Sequence, residues 1–159
     1  MNYQGCLDAI YDIVDSVPET ENIYKRRVAY KDAKDFENKY RTSTDDSYKG
    51  FQIYRSGLDT EFIAFNKKRH THTFSIVGII GIVEKETPTV YYSFDKLTEI
   101  MQNIYEELGK NLTLDGNCTD SGFPTMGVID FDTKVGKLFW MGEITLEVFD
   151  DEIFTESIS

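Results

Sequence analysis

The chain has 159 residues, 40% hydrophobic and 14% aromatic, enough for one folded unit that buries roughly two thirds of its unfolded surface, and too apolar for a disordered chain. Lys and Arg number 17 against 28 Asp and Glu, and the net charge of −11 argues against nucleic-acid binding through an ordinary basic patch. The surplus is lopsided: residues 1–69 balance 12 basic against 12 acidic side chains, whereas residues 70–159 hold 5 against 16, so the second half carries the acidic surface.

Tyr3, Cys6, Leu7, Ile10, Ile13, Val14 and Val17 recur at helical spacing, with Asp8, Asp12 and Asp15 on the other face and Pro18 as the stop. This predicts a short amphipathic helix laid against a sheet. The acids in this segment leave no basic, apolar-cored secretory leader, so Cys6 and Cys118 are expected as reduced thiols, and Asn111-Leu-Thr113 and Asn117-Cys-Thr119 as plain polar loop. Asn22 to Lys31 sets Tyr24, Arg26, Val28 and Tyr30 against Ile23, Arg27, Ala29 and Lys31, which predicts a strand near a sheet edge, where its basic side chains reach solvent or acidic partners.

Asp32 to Gly50 has no sustained period and reads as a long loop. Its aromatics Phe36, Tyr40 and Tyr48 either anchor a partner or fold back on their own domain. Phe51–Arg55 and Glu61–Asn66 read as short strands around a turn at Ser56-Gly57-Leu58-Asp59. Lys67-Lys68-Arg69 is the one basic cluster, suited to phosphate, to a neighbour's carboxylates, or simply to solvent at the start of a strand.

From His72 to Val83 (HTFSIVGIIGIV) the chain is apolar or Gly on both strand faces, which predicts a strand in the middle of the sheet, covered on both sides. The apolar run is only about ten residues, half of what a membrane-crossing helix requires. After a charged connection at Glu84–Pro88, Phe94, Leu97, Ile100, Met101, Ile104, Tyr105 and Leu108 form one helical stripe, with Ser93 as N-cap and Gly109 just past the end. Asn111–Thr125 reads as loop, Met126–Phe131 as a strand and Asp132–Gly136 as a tight turn. Lys137–Phe149 then alternates Leu138, Trp140, Ile144, Leu146 and Val148 against Glu143, Thr145 and Glu147, the second arm of a C-terminal hairpin. The prediction is a single α+β domain over residues 1–149, a mixed but mostly antiparallel sheet packed by two helices, with an acidic tail over 150–159.

No phosphate-binding Gly loop, nucleophile elbow or paired-Cys motif occurs. His70 and His72 stand two apart on a strand, as metal ligands would, but no third ligand has a matching spacing, so no metal or cofactor is expected. Asp120 with Asp130-Phe-Asp132-Thr-Lys134 has the flavour of a metal-dependent nuclease core, but the turn position and the acidity disfavour it, and no enzyme is expected.

The order of elements, with HTFSIVGIIGIV, SFDKLTEIMQNIYEELGKN and MGVIDFDTKVGKLFWMGEITLEVF, resembles the tail-terminator (tail-completion) proteins of long-tailed bacteriophages over Tyr3 to Phe149. The resemblance implies a structural virion protein at the tail–neck junction, made in the host cytoplasm. It would form a homohexameric ring that caps the tail-tube protein, ends its polymerisation and meets the head–neck connector or stopper, with DNA passing through unbound and no membrane involved. Another neck or head-completion protein is the alternative. On this reading Phe36, Tyr40, Arg41 and Tyr48 contact the tube, and Lys67, Lys68 and Arg69 meet a neighbour's Asp150, Asp151 and Glu152. Glu99, Glu106, Glu107, Glu143 and Glu147 line an acidic bore or form a solvated outer face.

Overall fold

A computed structural model of the chain describes residues 1–20, 24–26, 49–81, 89–134 and 137–153. Among these, two helices, α1 (Tyr3–Ser16) and α2 (Thr89–Gly109), accompany six strands: β1 (Tyr24–Arg26), β2 (Lys49–Ala64), β3 (Lys67–Gly81), β4 (Thr125–Met126), β5 (Asp130–Lys134) and β6 (Lys137–Ile153). The sheet runs β1-β2-β3-β6-β4, and β5 pairs with the start of β6. All pairs are antiparallel except β1 with β2. The fold is therefore α+β: among the described residues, a mixed, mostly antiparallel sheet with two helices and a C-terminal hairpin, β5–β6. The expected contact loop through residue 48, with Phe36, Tyr40, Arg41 and Tyr48, lies outside the described residues, as do Ile82 to Pro88 and the chain beyond Ile153; Lys49 and Gly50 open β2.

β3 lies in the middle of the sheet, as its two apolar faces require. One face joins Phe74, Ile76 and Ile80 to Phe51, Ile53, Ile144, Leu146 and the apolar stripes of both helices. The other holds a smaller buried cluster of Val77, Ile79 and Phe139. Asn2 caps α1, its side chain accepting a hydrogen bond from the Gly5 amide, and Cys6, Leu7, Ala9, Ile10 and Val14 are buried beneath it. α2 reaches the sheet because two glycines face each other across β3 and β6: Gly78 pairs with Gly142. A Cβ at Gly78 would stand 2.6 Å from the Phe51 ring and 2.9 Å from the Met101 sulfur, whereas one at Gly142 would meet Met101 at 3.4 Å. The Phe51 ring and the Met101 side chain thus occupy the space that side chains at this pair would take.

Several local expectations are corrected. Ser56–Asp59 is no turn: β2 runs on through it, with Ser56 as a bulge between Arg55, paired with Phe74, and Gly57, paired with Thr73. The Ser56 hydroxyl donates to the Thr73 carbonyl and accepts from Ser75, which satisfies polar groups at the interruption. The hairpin turn falls at Phe65-Asn66 instead. α2 begins at Thr89, so Ser93 lies inside it, buried, and does not cap it. Gly109 is its last residue, and left-handed backbone occurs further on, at Leu114, Asp115 and Gly116. Asp132 to Lys134 belong to β5, not to a turn. Asp150 to Glu152 are not tail: they continue β6 alongside β3.

Gly78→Ala is expected to cost about 1–3 kcal/mol through forced displacement of Phe51 and Met101, and Gly142→Ala distinctly less; urea unfolding of the two variants side by side checks the order.

Candidate functional site

At 15 to 17 residues each, β2, β3 and β6 are about 50 Å long. Only one half of that length carries the core. Beyond Arg55 on β2, Thr71 on β3 and Val148 on β6, the strands are exposed or half-buried and form a three-stranded arm. Register fixes which side chains share a face. Leu58, His72 and Val148 lie in one row, Thr60, His70 and Asp150 in the next, and Phe62, Lys68 and Glu152 in the third; Glu61, Arg69 and Asp151 project from the opposite face.

The root of the arm is tied to α1. Tyr3 stacks on Phe74 with ring centroids 5.8 Å apart, and the Arg55 guanidinium lies 4.8 Å from the Tyr3 ring. Arg55 Nη1 also donates to His72 Nδ1 at 3.4 Å, a bond that requires the imidazole to be neutral. Burial holds the His72 pKa below its usual value, Arg55 adds to this, and Asp150 opposes it.

The basic cluster is answered within its own chain. Arg69 makes a two-pronged contact to Asp151, at 2.9 and 3.1 Å, and Lys67 reaches the same carboxylate at 3.0 Å. Hydrogen bonds from Arg69, then Lys67, hold the Asp151 carboxyl well below the usual carboxylate range. His70 bonds Thr60 through Nδ1 and Glu152 through Nε2. The acids expected from a neighbour sit on the next strand of the same chain, where Lys67 and Arg69 pair with Asp151. The two His side chains do share a face, but both are engaged, and among the described residues no group of three His, Cys, Asp or Glu is placed to hold a metal ion.

The five glutamates assigned to one bore divide between two sides of the molecule. Ile144, Leu146 and Val148 point toward α1 and α2, so Glu143 and Glu147, which are exposed and alternate with them, project from the opposite sheet face. Glu99 and Glu106 are exposed on α2 with Glu107 half-buried beside them, away from the sheet. One narrow channel cannot be lined by both sets. Cys6 and Cys118, far apart in sequence, are both buried as free thiols, and Cys118 Sγ donates to the Leu112 carbonyl at 3.7 Å. Burial, reinforced by the neighbouring sulfur, pushes the Cys6 thiol up to about 12.

What the sequence reading missed is apolar exposure. Phe62 is 70% exposed, Phe65 86% and Leu58 54%, with Ile63 beside them, and Ile153 is exposed on β6, beyond β3 and on the opposite sheet face. A second patch, Phe123 and Val128, lies along the outer edge of β6, where the Gly122 amide bonds the Glu147 carbonyl and the Gly127 amide that of Glu143. The signal was present: Phe62-Ile63-Ala64-Phe65 is a run of four apolar residues at a hairpin turn, where alternation should leave polar side chains. Compared with known proteins, the chain matches no family model and no curated protein.

Two solution predictions follow from these environments. His72 is held neutral when folded, so the unfolded chain takes up its proton first and stability falls as pH drops through 6.5. The lowered Asp151 contributes stability that is present above 3.8 and lost as pH falls below it. Thermal midpoints measured across pH should decline in these two stages, with His72→Leu removing the first and Asp151→Asn the second. Aromatic disulfide reagents should label Cys6 only at the rate of unfolding, and denaturant should release the reaction.

Proposed function

We propose that the protein is a structural component of a long-tailed phage particle, a tail terminator whose subunits form a ring on the last ring of tail-tube subunits and join it to the head–neck connector. The observation that carries this reading is the arm, which among the described residues presents Leu58, Phe62 and Phe65 to solvent beyond the reach of α1 and α2. Exposed apolar patches of this size mark sites of association. Together with the element order of the sequence, they fit a protein whose side chains serve assembly rather than bond-making.

A closed ring repeats one heterologous contact around its axis, so each subunit needs two different surfaces. The arm and the Phe123–Val128 edge are two such surfaces. Because the glutamates divide between faces, only one set can border the DNA path. Glu143 and Glu147, on the sheet face opposite α1 and α2, are the set assigned to it, since that face turned inward leaves α1 and α2 outside. Carboxylates there repel phosphate and let the duplex slide.

Mixing the purified protein with tail-tube subunits should yield capped tubes of limited length by electron microscopy; tubes that grow unchecked, with no density at their ends, would overturn the proposal. In infected cells the double reversal Glu143→Lys, Glu147→Lys should lower phage yield by about tenfold or more, from the ~1.4 kcal/mol that a tenfold change represents, and an unchanged yield removes these residues from the DNA path.

A further inference from the structure

We propose that His72 is a proton-operated catch between the arm and α1: neutral, it holds Arg55 against the first turn of the helix, and protonated, it releases Arg55, turns to Asp150 and lets that turn fray. The inference concerns the free chain and does not depend on the assembly reading.

α1 meets the root of the arm at its first turn. Tyr3 stacks on Phe74 at 5.8 Å, and the Arg55 guanidinium covers the same Tyr3 ring at 4.8 Å. The Met1 ammonium lies 3.5 Å from Asp150 Oδ1. His72 stands between these two holds. It is buried, shares a cross-strand row with Leu58 and Val148, and has Asp150 as its diagonal neighbour on the same sheet face. Among the described residues, the charged and titratable groups that act on it are Arg55 from β2, Asp150 from β6, His70 from its own strand and the Met1 ammonium ahead of α1.

One proton acts on both holds. His72 Nδ1 accepts from Arg55 at 3.4 Å only while it keeps its lone pair. With both ring nitrogens protonated, the contact becomes one between two cations. Arg55 is exposed and can swing into water, which takes it off the Tyr3 ring. The imidazolium stays in a buried place and requires a counter-charge. Asp150 is the one acid among the groups that act on it, and in taking it His72 competes with the Met1 ammonium. Deeper in α1, Ile10 and Val14 are fully buried and carry no charge, so the opening stops within the first turns. Burial, then Arg55, disfavours the charged ring while the catch is closed, so opening is favoured as pH falls below 6.5.

The test is native-state hydrogen exchange on the free full chain, at pH values either side of 6.5 and at low urea concentrations, with rates corrected for the pH dependence of chemical exchange. Proton NMR titration follows the imidazoles of His70 and His72, the 2 histidines of the chain. The amides of Gly5, Cys6 and Leu7 should exchange through a local opening with little urea dependence. Its equilibrium constant should grow by up to about tenfold per pH unit between 6.5 and the lower midpoint at which His72 itself titrates. Amides of α2 around Met101 should exchange only with the full urea dependence of global unfolding. His72→Gln keeps an acceptor for Arg55 and has no proton to gain, so it should abolish the pH dependence at α1, while His70→Gln should keep it. Arg55→Gln should move the His72 midpoint up toward 6.5 and shrink the pH dependence. Opening at α1 that ignores pH, that stays pH-dependent in His72→Gln, or that has the same urea dependence as α2 would overturn the proposal. A His72 midpoint unmoved in Arg55→Gln would do the same.

Discussion

The dominating constraint is one of length. Three adjacent strands run about 50 Å, while the 14 residues of α1 and the 21 of α2 make helices of about 21 and 32 Å. The helices settle over the end where the Gly78–Gly142 pair lets Met101 reach the sheet surface, and the core forms there. Among the described residues, the rest of the ribbon is held by its own cross-strand pairs. Both the stable body and the exposed arm follow from this mismatch.

The arm is ordered by polar contacts where apolar burial is missing. Asp151 collects Lys67 and Arg69, Glu152 reaches His70, and the His72–Arg55–Tyr3 chain of contacts ties the root to α1. Exposed ion pairs of this kind contribute little each to global stability. Their effect is to fix register and to neutralise charge locally, so that the phenylalanines near the tip stand on a defined surface. A ring interface built on charge would have been sensitive to salt; with the charges closed internally, the apolar side chains remain as the means of association.

Much of this was legible in the sequence. The two-faced apolar stretch placed β3 in the middle of the sheet, the Leu97–Leu108 stripe located α2, and the alternation after Lys137 gave β6 its inward face. The misreadings have physical causes. Ser56-Gly57 has turn chemistry, but fourteen cross-strand residue pairs with β3 override it and reduce it to a bulge. Thr89–Tyr92 has β-branched and aromatic residues that suit a strand, yet the helix extends through them. The Arg69–Asp151 contact joins residues 82 apart, and the division of the glutamates depends on which sheet face the helices cover; neither can be inferred from local pattern. The exposed Phe62 and Phe65 were visible as a run and were absorbed into a strand assignment that supplied them with a core they do not have.

The central claim is that the uncovered arm is where this chain meets its own copies. Hydrogen–deuterium exchange tests it directly, comparing the free chain at low concentration with the assembled form. The account predicts that protection is gained at amides 57–68 and 121–130, with the core around Gly78 unchanged. Protection gained elsewhere, with those two segments exchanging as fast as before, would contradict it.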